Sequence, residues 1–173
     1  NRSLPQAKAN ARFHYGLGKA FYEPWLDAPA MMYTCAYWRE GTETLEEAQR
    51  NKMDHVCRKV RLQAGESFVD VGSGWGGLML HAWEHYGAIG TGVNTTTEQV
   101  DESRAEIARR GLADRLKVVE CDFREIPGRY DKLHLFDVDI AGHVSIRESD
   151  TRAPGEAVVT AVTALGTLGM TVC

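Results

Sequence analysis

Residues 68–78 read Phe-Val-Asp-Val-Gly-Ser-Gly-Trp-Gly-Gly-Leu, and no other stretch limits the fold so strongly. A short apolar run ends in a cluster of glycines, and a helix-like pattern follows. That order predicts a buried strand, a tight turn and a helix N-terminus. Glycine tolerates positive φ and lets a ligand lie against bare backbone. The helix start adds free N–H groups and partial positive charge, which suit a carboxylate or a phosphate. Gly72, Gly74 and Gly77 match the dinucleotide spacing G-x-G-x-x-G. The plainer reading is a glycine turn needed only for packing. Two details favour a ligand. Asp70 stands two residues before the first glycine, where a carboxylate can order the loop or meet a cationic group. Gly76 makes the cluster denser than a dinucleotide turn requires.

Further strands follow at intervals. Residues 88–93 read as a second strand, ending in Asn94-Thr95-Thr96-Thr97-Glu98-Gln99. In a nucleoside-binding α/β fold this strand end meets the ribose, and a dinucleotide enzyme usually places Asp or Glu there. Asn94 disfavours a nicotinamide enzyme. The same residues can simply start the next helix, with Thr96 or Thr97 as N-cap. That helix runs from about Glu98 to Arg110 and stops at Gly111. Residues 117–121 read as a third strand, with Asp122-Phe123-Arg124 at its carboxyl end. A ligand lying across the ends of parallel strands would bring its adenine here, where a carboxylate accepts from the amino group and an aromatic covers the ring. An ordinary strand-to-loop Asp is the simpler alternative. Pro127-Gly128 marks a turn, and residues 132–138 form a fourth strand. The alternation predicts an α/β, Rossmann-like fold: a mostly parallel sheet with helices on both faces.

The N-terminal third has a different character. Residues 1–12 read as a solvated lead-in. Residues 13–27 are rich in aromatics but contain Gly16, Gly18 and Pro24, so short helical turns with breaks are expected. The stripe Met31-Met32-Tyr33-Thr34-Cys35-Ala36-Tyr37-Trp38 fits core packing. Tyr33, Thr34 and Cys35, three adjacent polar handles in apolar surroundings, also suit a ligand wall. Thr44-Leu45-Glu46-Glu47 has the capping-box form. It starts a helix that reaches about Val60, with Leu45, Ala48, Lys52 and Val56 along one face. Residues 78–86 form a helix closed by Gly87. His81 and His85 share a face of it, but the H-E-x-x-H order is absent and no metal site is expected.

Composition narrows the classes of function. The chain has 173 residues, enough for one domain with a real core, and a net charge of −4 gives no reason to expect nucleic acid. No run approaches the roughly 18 apolar residues of a membrane span. Residues 1–12 do not resemble a signal peptide. Cys35, Cys57, Cys121 and Cys173 are scattered, so reduced thiols and a cytoplasmic setting are expected.

Taken together, His14-Tyr15-Gly16-Leu17-Gly18, Tyr33-Thr34-Cys35-Ala36-Tyr37-Trp38, Thr44-Leu45-Glu46-Glu47-Ala48-Gln49 with Lys52, and Val69-Asp70-Val71-Gly72-Ser73-Gly74-Trp75-Gly76-Gly77 resemble the cyclopropane-fatty-acid and mycolic-acid cyclopropane synthases. Asn94 to Gln99 and Asp122-Phe123-Arg124 fit the later cofactor segments of that family. The resemblance covers residues 13–138. It implies S-adenosylmethionine as cofactor. Tyr33 and Thr34 would close over it, and Gly72, Gly74 and Gly76, with Asp70, would hold its methionine end. Asn94, Thr95 and Gln99 would meet the ribose, and Asp122, Phe123 and Arg124 would border the adenine. Cys35 would help bind a bicarbonate ion, with a plain buried cysteine as the alternative. The reaction implied is methyl transfer to a cis double bond of a lipid acyl chain, with bicarbonate as general base. The implied partner is an unsaturated phospholipid, met through transient peripheral membrane contact.

Two departures from the family stand out. Ser73 replaces the usual Cys of the glycine loop. After the fourth strand, Asp137-Val138-Asp139-Ile140-Ala141-Gly142-His143-Val144 lacks the family's Glu, and His143 is the candidate for its histidine. The sequence thus divides into a helical cover (1–60), a cofactor-binding core (61–138) and a divergent tail (139–173). In the tail, residues 157–166 suit a helix or a strand. A cofactor-binding remnant without catalysis, or a methyltransferase for another small molecule, are the alternative readings.

Overall fold

The structure is a computed structural model, and it describes residues 4–135 and 161–162. The elements run α1 (Leu4–Tyr15), α2 (Lys19–Tyr22), α3 (Leu45–Lys59), β1 (Ser67–Val71), α4 (Gly77–Tyr86), β2 (Ile89–Asn94), α5 (Thr97–Arg109) and β3 (Leu116–Glu120). A 3-10 turn (Phe123–Glu125), β4 (Lys132–Leu135) and β5 (Ala161–Val162) follow. The sheet order is β3-β2-β1-β4-β5, and every pairing is parallel. This is the expected α/β, Rossmann-like fold. The chain winds outward from β1 to β3 and then returns to the other side of β1 as β4. That reversal opens a crevice beyond the carboxyl ends of the strands, the usual place for a ligand in such sheets.

Alternation along β1 separates two cores. Phe68 joins a cluster built from α3, α4 and α5 through Met53, Val56, Leu78, Met79, Val100 and Ile107. Val69 and Val71 face the other way and meet Val93, Leu133, Leu135, Ile126 and Tyr130. Burial of such side chains is the main driving force for the sheet–helix layering. Asp70 shares the parity of Phe68, so its carboxyl lies on the α3 side at the strand's open end.

The helix boundaries follow local chemistry. Thr44 Oγ1 accepts from the Glu47 amide at 3.2 Å, and Glu47 Oε2 accepts from the Thr44 amide at 3.4 Å. Both halves of the expected capping box are therefore made. Helix α4 starts after Gly76, at φ 85°, and stops at Gly87, at φ 68°. The lead-in expected to be solvated is helical from residue 4, as helix α1, and residues 5, 6, 9, 10 and 12 are exposed. Pro5 lies in the first turn, where a missing N–H is harmless, and Ala7, Ala9 and Ala11 favour helix without any apolar stripe. Phe13 near its end is 83% exposed.

Candidate cofactor site

The glycine loop leaves β1 as a chain of left-handed turns, with φ of 79° at Gly72, 53° at Gly74 and 85° at Gly76. Only glycine holds such angles at little cost. The amides of Gly72 and Ser73 donate to the Val93 carbonyl, at 2.8 and 3.2 Å, which pins the loop to the end of β2. A Cβ added at Gly74 would enter open space, so this side of the loop is free to take a ligand against the backbone. A Cβ at Gly77 would stand 2.3 Å from the Ala30 carbonyl oxygen. The N-terminal segment therefore crosses the start of α4 at backbone distance.

That segment, residues 30–38, is the strap of the site. Its anchors are polar and lie on α3. Gln49 Nε2 donates to the carbonyls of Met32 and Thr34, at 3.2 and 3.0 Å. Lys52 Nζ donates to Thr34 Oγ1 at 2.8 Å and to the Thr34 carbonyl at 3.2 Å. The Tyr37 amide donates to the Ala48 carbonyl. Asp27 Oδ1 accepts from the Met32 amide at 2.7 Å. Lys52 is 1% exposed. Burial pushes its ammonium down to about 8, against the pull of Asp27, Cys35 and Asp70. Burial raises the Asp27 carboxyl, opposed by the Met32 amide and by Lys52.

Tyr33 is 51% exposed and belongs to an aromatic cover. Its ring meets Tyr15, Tyr22 and Trp25 at centroid distances of 5.5, 5.7 and 6.3 Å. Tyr22 in turn stands 5.0 Å from Trp75 of the glycine loop. Cover and loop thus form one aromatic group, and such faces attract cations. Cys35 is exposed, which overturns the reading of it as a plain buried cysteine. The polar anchors turn the strap's backbone inward and leave that side chain outside.

Asp70 is buried, and its Oδ1 meets His134 Nδ1 at 2.9 Å. The two are register partners across β1 and β4. At the end of β2, Asn94 ties the site together. Its Oδ1 accepts from the amides of Thr95 and Thr96, and its Nδ2 donates to Gln99 Oε1 at 2.8 Å and to the Gly74 carbonyl at 3.4 Å. Thr96 holds the N-cap position of α5, but its hydroxyl makes no cap bond. Asn94 instead holds the two residues that lead into α5 through their amides. At the end of β3, Asp122 Oδ1 and Oδ2 accept from Arg124 Nε and NH2, at 2.7 and 2.8 Å. The Arg124 hydrogen bonds hold the Asp122 carboxyl below its ordinary range. Arg124 also stands 5.6 Å from the Phe123 ring centroid. A carboxylate has about four lone-pair directions, so Asp122 keeps acceptor capacity.

Glycine loop, Asp70, Asn94 and Asp122 therefore share the carboxyl edge of β1, β2 and β3, and the Tyr33–Thr34 strap meets α4 beside the loop. His143 lies outside the described residues, as do 136–138, 139–160 and 163–173. His81 Nε2 contacts Asp54 Oδ1 at 2.9 Å, away from this edge. Lys52, His134, Asp27 and Gln49 were not predicted as site residues. Lys52 did carry a signal, as a lysine on the apolar face of a helix.

A family model described as mycolic acid cyclopropane synthetase matches residues 2–152, past both limits of the resemblance drawn from motifs. A probable fatty acid methyltransferase of Pseudomonas putida is 44% identical over 123 residues, 70% of this chain and 31% of that protein. A cyclopropane-fatty-acyl-phospholipid synthase of Escherichia coli K12 is 33% identical over 138 residues, 80% of this chain and 34% of that protein. The crystal structure of mycolic acid cyclopropane synthase CmaA1, complexed with SAH and CTAB, superposes with a TM-score of 0.70. It is 30% identical, and the match covers 74% of this chain and 45% of that one. The chain spans about a third of the length of these curated relatives.

Proposed function

We propose that this chain, which belongs to the mycolic acid cyclopropane synthetase family, binds S-adenosylmethionine and serves methyl transfer to a double bond of an unsaturated lipid acyl chain. The observation that carries the reading is the meeting, at one sheet edge, of an open glycine loop, a buried carboxyl and an aromatic strap. The donor set fits the cofactor. Gly72, Gly74 and Gly76 offer close backbone approach to its methionine end, with Asp70 behind them. In this reading Asn94, Thr95 and Gln99 would meet the ribose, and Asp122, Phe123 and Arg124 would border the adenine. When bound, the cofactor supplies an electrophilic methyl on a sulfonium cation.

The chain's own residues orient and shield that group. Tyr33 and Thr34 would close over it, and the aromatic faces of the cover favour positive charge there. Cys35, exposed on the strap, would help hold a bicarbonate ion, and His143 is proposed as a second catalytic residue from sequence alone. The division at residues 60 and 138 belongs to the same proposal. So do a cytoplasmic setting and transient contact with a phospholipid surface. Among the described residues no helix is long and apolar enough to cross a membrane. The absence of the family's Glu after β4 favours a second reading, cofactor binding without turnover.

Calorimetric titration with S-adenosylmethionine, followed by incubation with vesicles of cis-unsaturated phospholipid, tests both. Micromolar binding, about −8 kcal/mol, with mass gain in the acyl chains supports the first reading. Binding without mass gain leaves the second, and no binding overturns both.

A further inference from the structure

Lys52 is the buried cation on which both halves of the site converge. Its ammonium contacts the strap through two different acceptors of one residue, the Thr34 hydroxyl and the Thr34 carbonyl. Carboxylates also favour its charged form: Asp27, which precedes the strap, and Asp70 on β1. Asp70 is itself joined to β4 through His134. A buried ammonium is tolerated only when it is paired and hydrogen-bonded. Here both bonds run from α3 to the strap, so the cation keeps these acceptors only when the strap is in place.

We propose that Lys52 is a positioning residue for the cofactor site, a latch whose ammonium sets the Tyr33–Thr34 strap over the strand that carries Asp70. The inference rests on the cofactor reading above and deepens it. Lys52 acts through Thr34, whose hydroxyl is held in one orientation by the 2.8 Å bond. Gln49 holds only the backbone of the strap, so the direction of the Thr34 side chain depends on Lys52. Small misplacements of a positioning group carry large penalties in such sites.

The test uses Lys52→Met, Lys52→Arg and Thr34→Val in the full chain, with two readouts. Amide hydrogen exchange at residues 31–38 reads the strap without any ligand, and exchange across β1, β2 and β3 reports whether the core is intact. Calorimetry with S-adenosylmethionine reads the consequence. The latch predicts faster exchange in the strap for Lys52→Met with the core unchanged, and about tenfold weaker cofactor binding in both Lys52→Met and Thr34→Val. Lys52→Arg keeps a cation and recovers most of the affinity. Three results overturn the latch: strap exchange unchanged in Lys52→Met; faster exchange with undiminished affinity, which makes Lys52 a structural pin only; and an arginine variant no better than the methionine one. If core exchange rises in Lys52→Met, the arginine and valine variants decide. If the unaltered chain takes up no cofactor, the reading of function falls, and the strap exchange still judges the latch.

Discussion

Single residues decide how the site is charged. Asp70→Ala removes the one carboxyl on β1 and the contact with His134. Loss of such a charged hydrogen-bonding group should weaken S-adenosylmethionine binding by about a hundredfold, measured by calorimetry. Undiminished affinity would move the methionine end of the cofactor elsewhere. Lys52 makes a prediction in pH. Burial lowers its folded-state value from 10.5 to about 8. Between those limits the unfolded chain binds the proton and the folded chain does not, so stability rises with pH across this window. The contribution reaches about 3 kcal/mol, and urea denaturation at pH 8 and pH 10 should reveal it against Lys52→Met, which has no such slope. Asp70 and the glycines were legible because they are neighbours in sequence. Lys52 with Thr34, and Asp70 with His134, were not: the partners stand 18 and 64 residues apart, and only the assembled sheet and helix bring them together.

Elements succeed or fail on their ends. The capping box of α3 satisfies amides at both sides of the helix start. Thr44→Ala should cost about 1 kcal/mol in urea denaturation, and Thr44→Ser should restore most of it. Helix α4 depends on Gly77, where any Cβ meets the Ala30 carbonyl. Gly77→Ala should therefore destabilise by about 1–3 kcal/mol, the range for overpacking, although alanine is the better helix former. A neutral or stabilising outcome would mean that the strap does not pass this close. The ends of α3, α4 and α5 were readable because Thr44, Gly87 and Gly111 punctuate the chain. Thr96 holds the expected N-cap position of α5 without a cap bond from its hydroxyl, and the reach of Asn94 from the strand end to the amides of Thr95 and Thr96 had no signal in the sequence. Helix α1 was missed because its start has no apolar periodicity, and alanine content alone is a weak cue.

At the scale of the whole molecule, a ligand that binds only the folded state must stabilise it. S-adenosylmethionine at a hundred times its dissociation constant should add about 2.7 kcal/mol and raise Tm by roughly 5–10 °C. An unchanged Tm at that concentration would refute the cofactor reading. The alternation of strands and helices was enough to read a parallel sheet. It did not reveal that β4 returns beside β1, nor that the polar anchors of α3 fasten the strap to the core. Those depend on contacts between segments with no local signature. The seating of Trp75 has a practical consequence. It is 8% exposed and belongs to the glycine loop, yet its ring lies against Tyr22 of the cover. The chain has four tryptophans, at positions 25, 38, 75 and 83. Replacing Trp25, Trp38 and Trp83 by Phe leaves a single fluorophore at the joint between the two parts of the site. Its emission then becomes an optical gauge of whether cover and loop are in register, readable in a cuvette while the protein works.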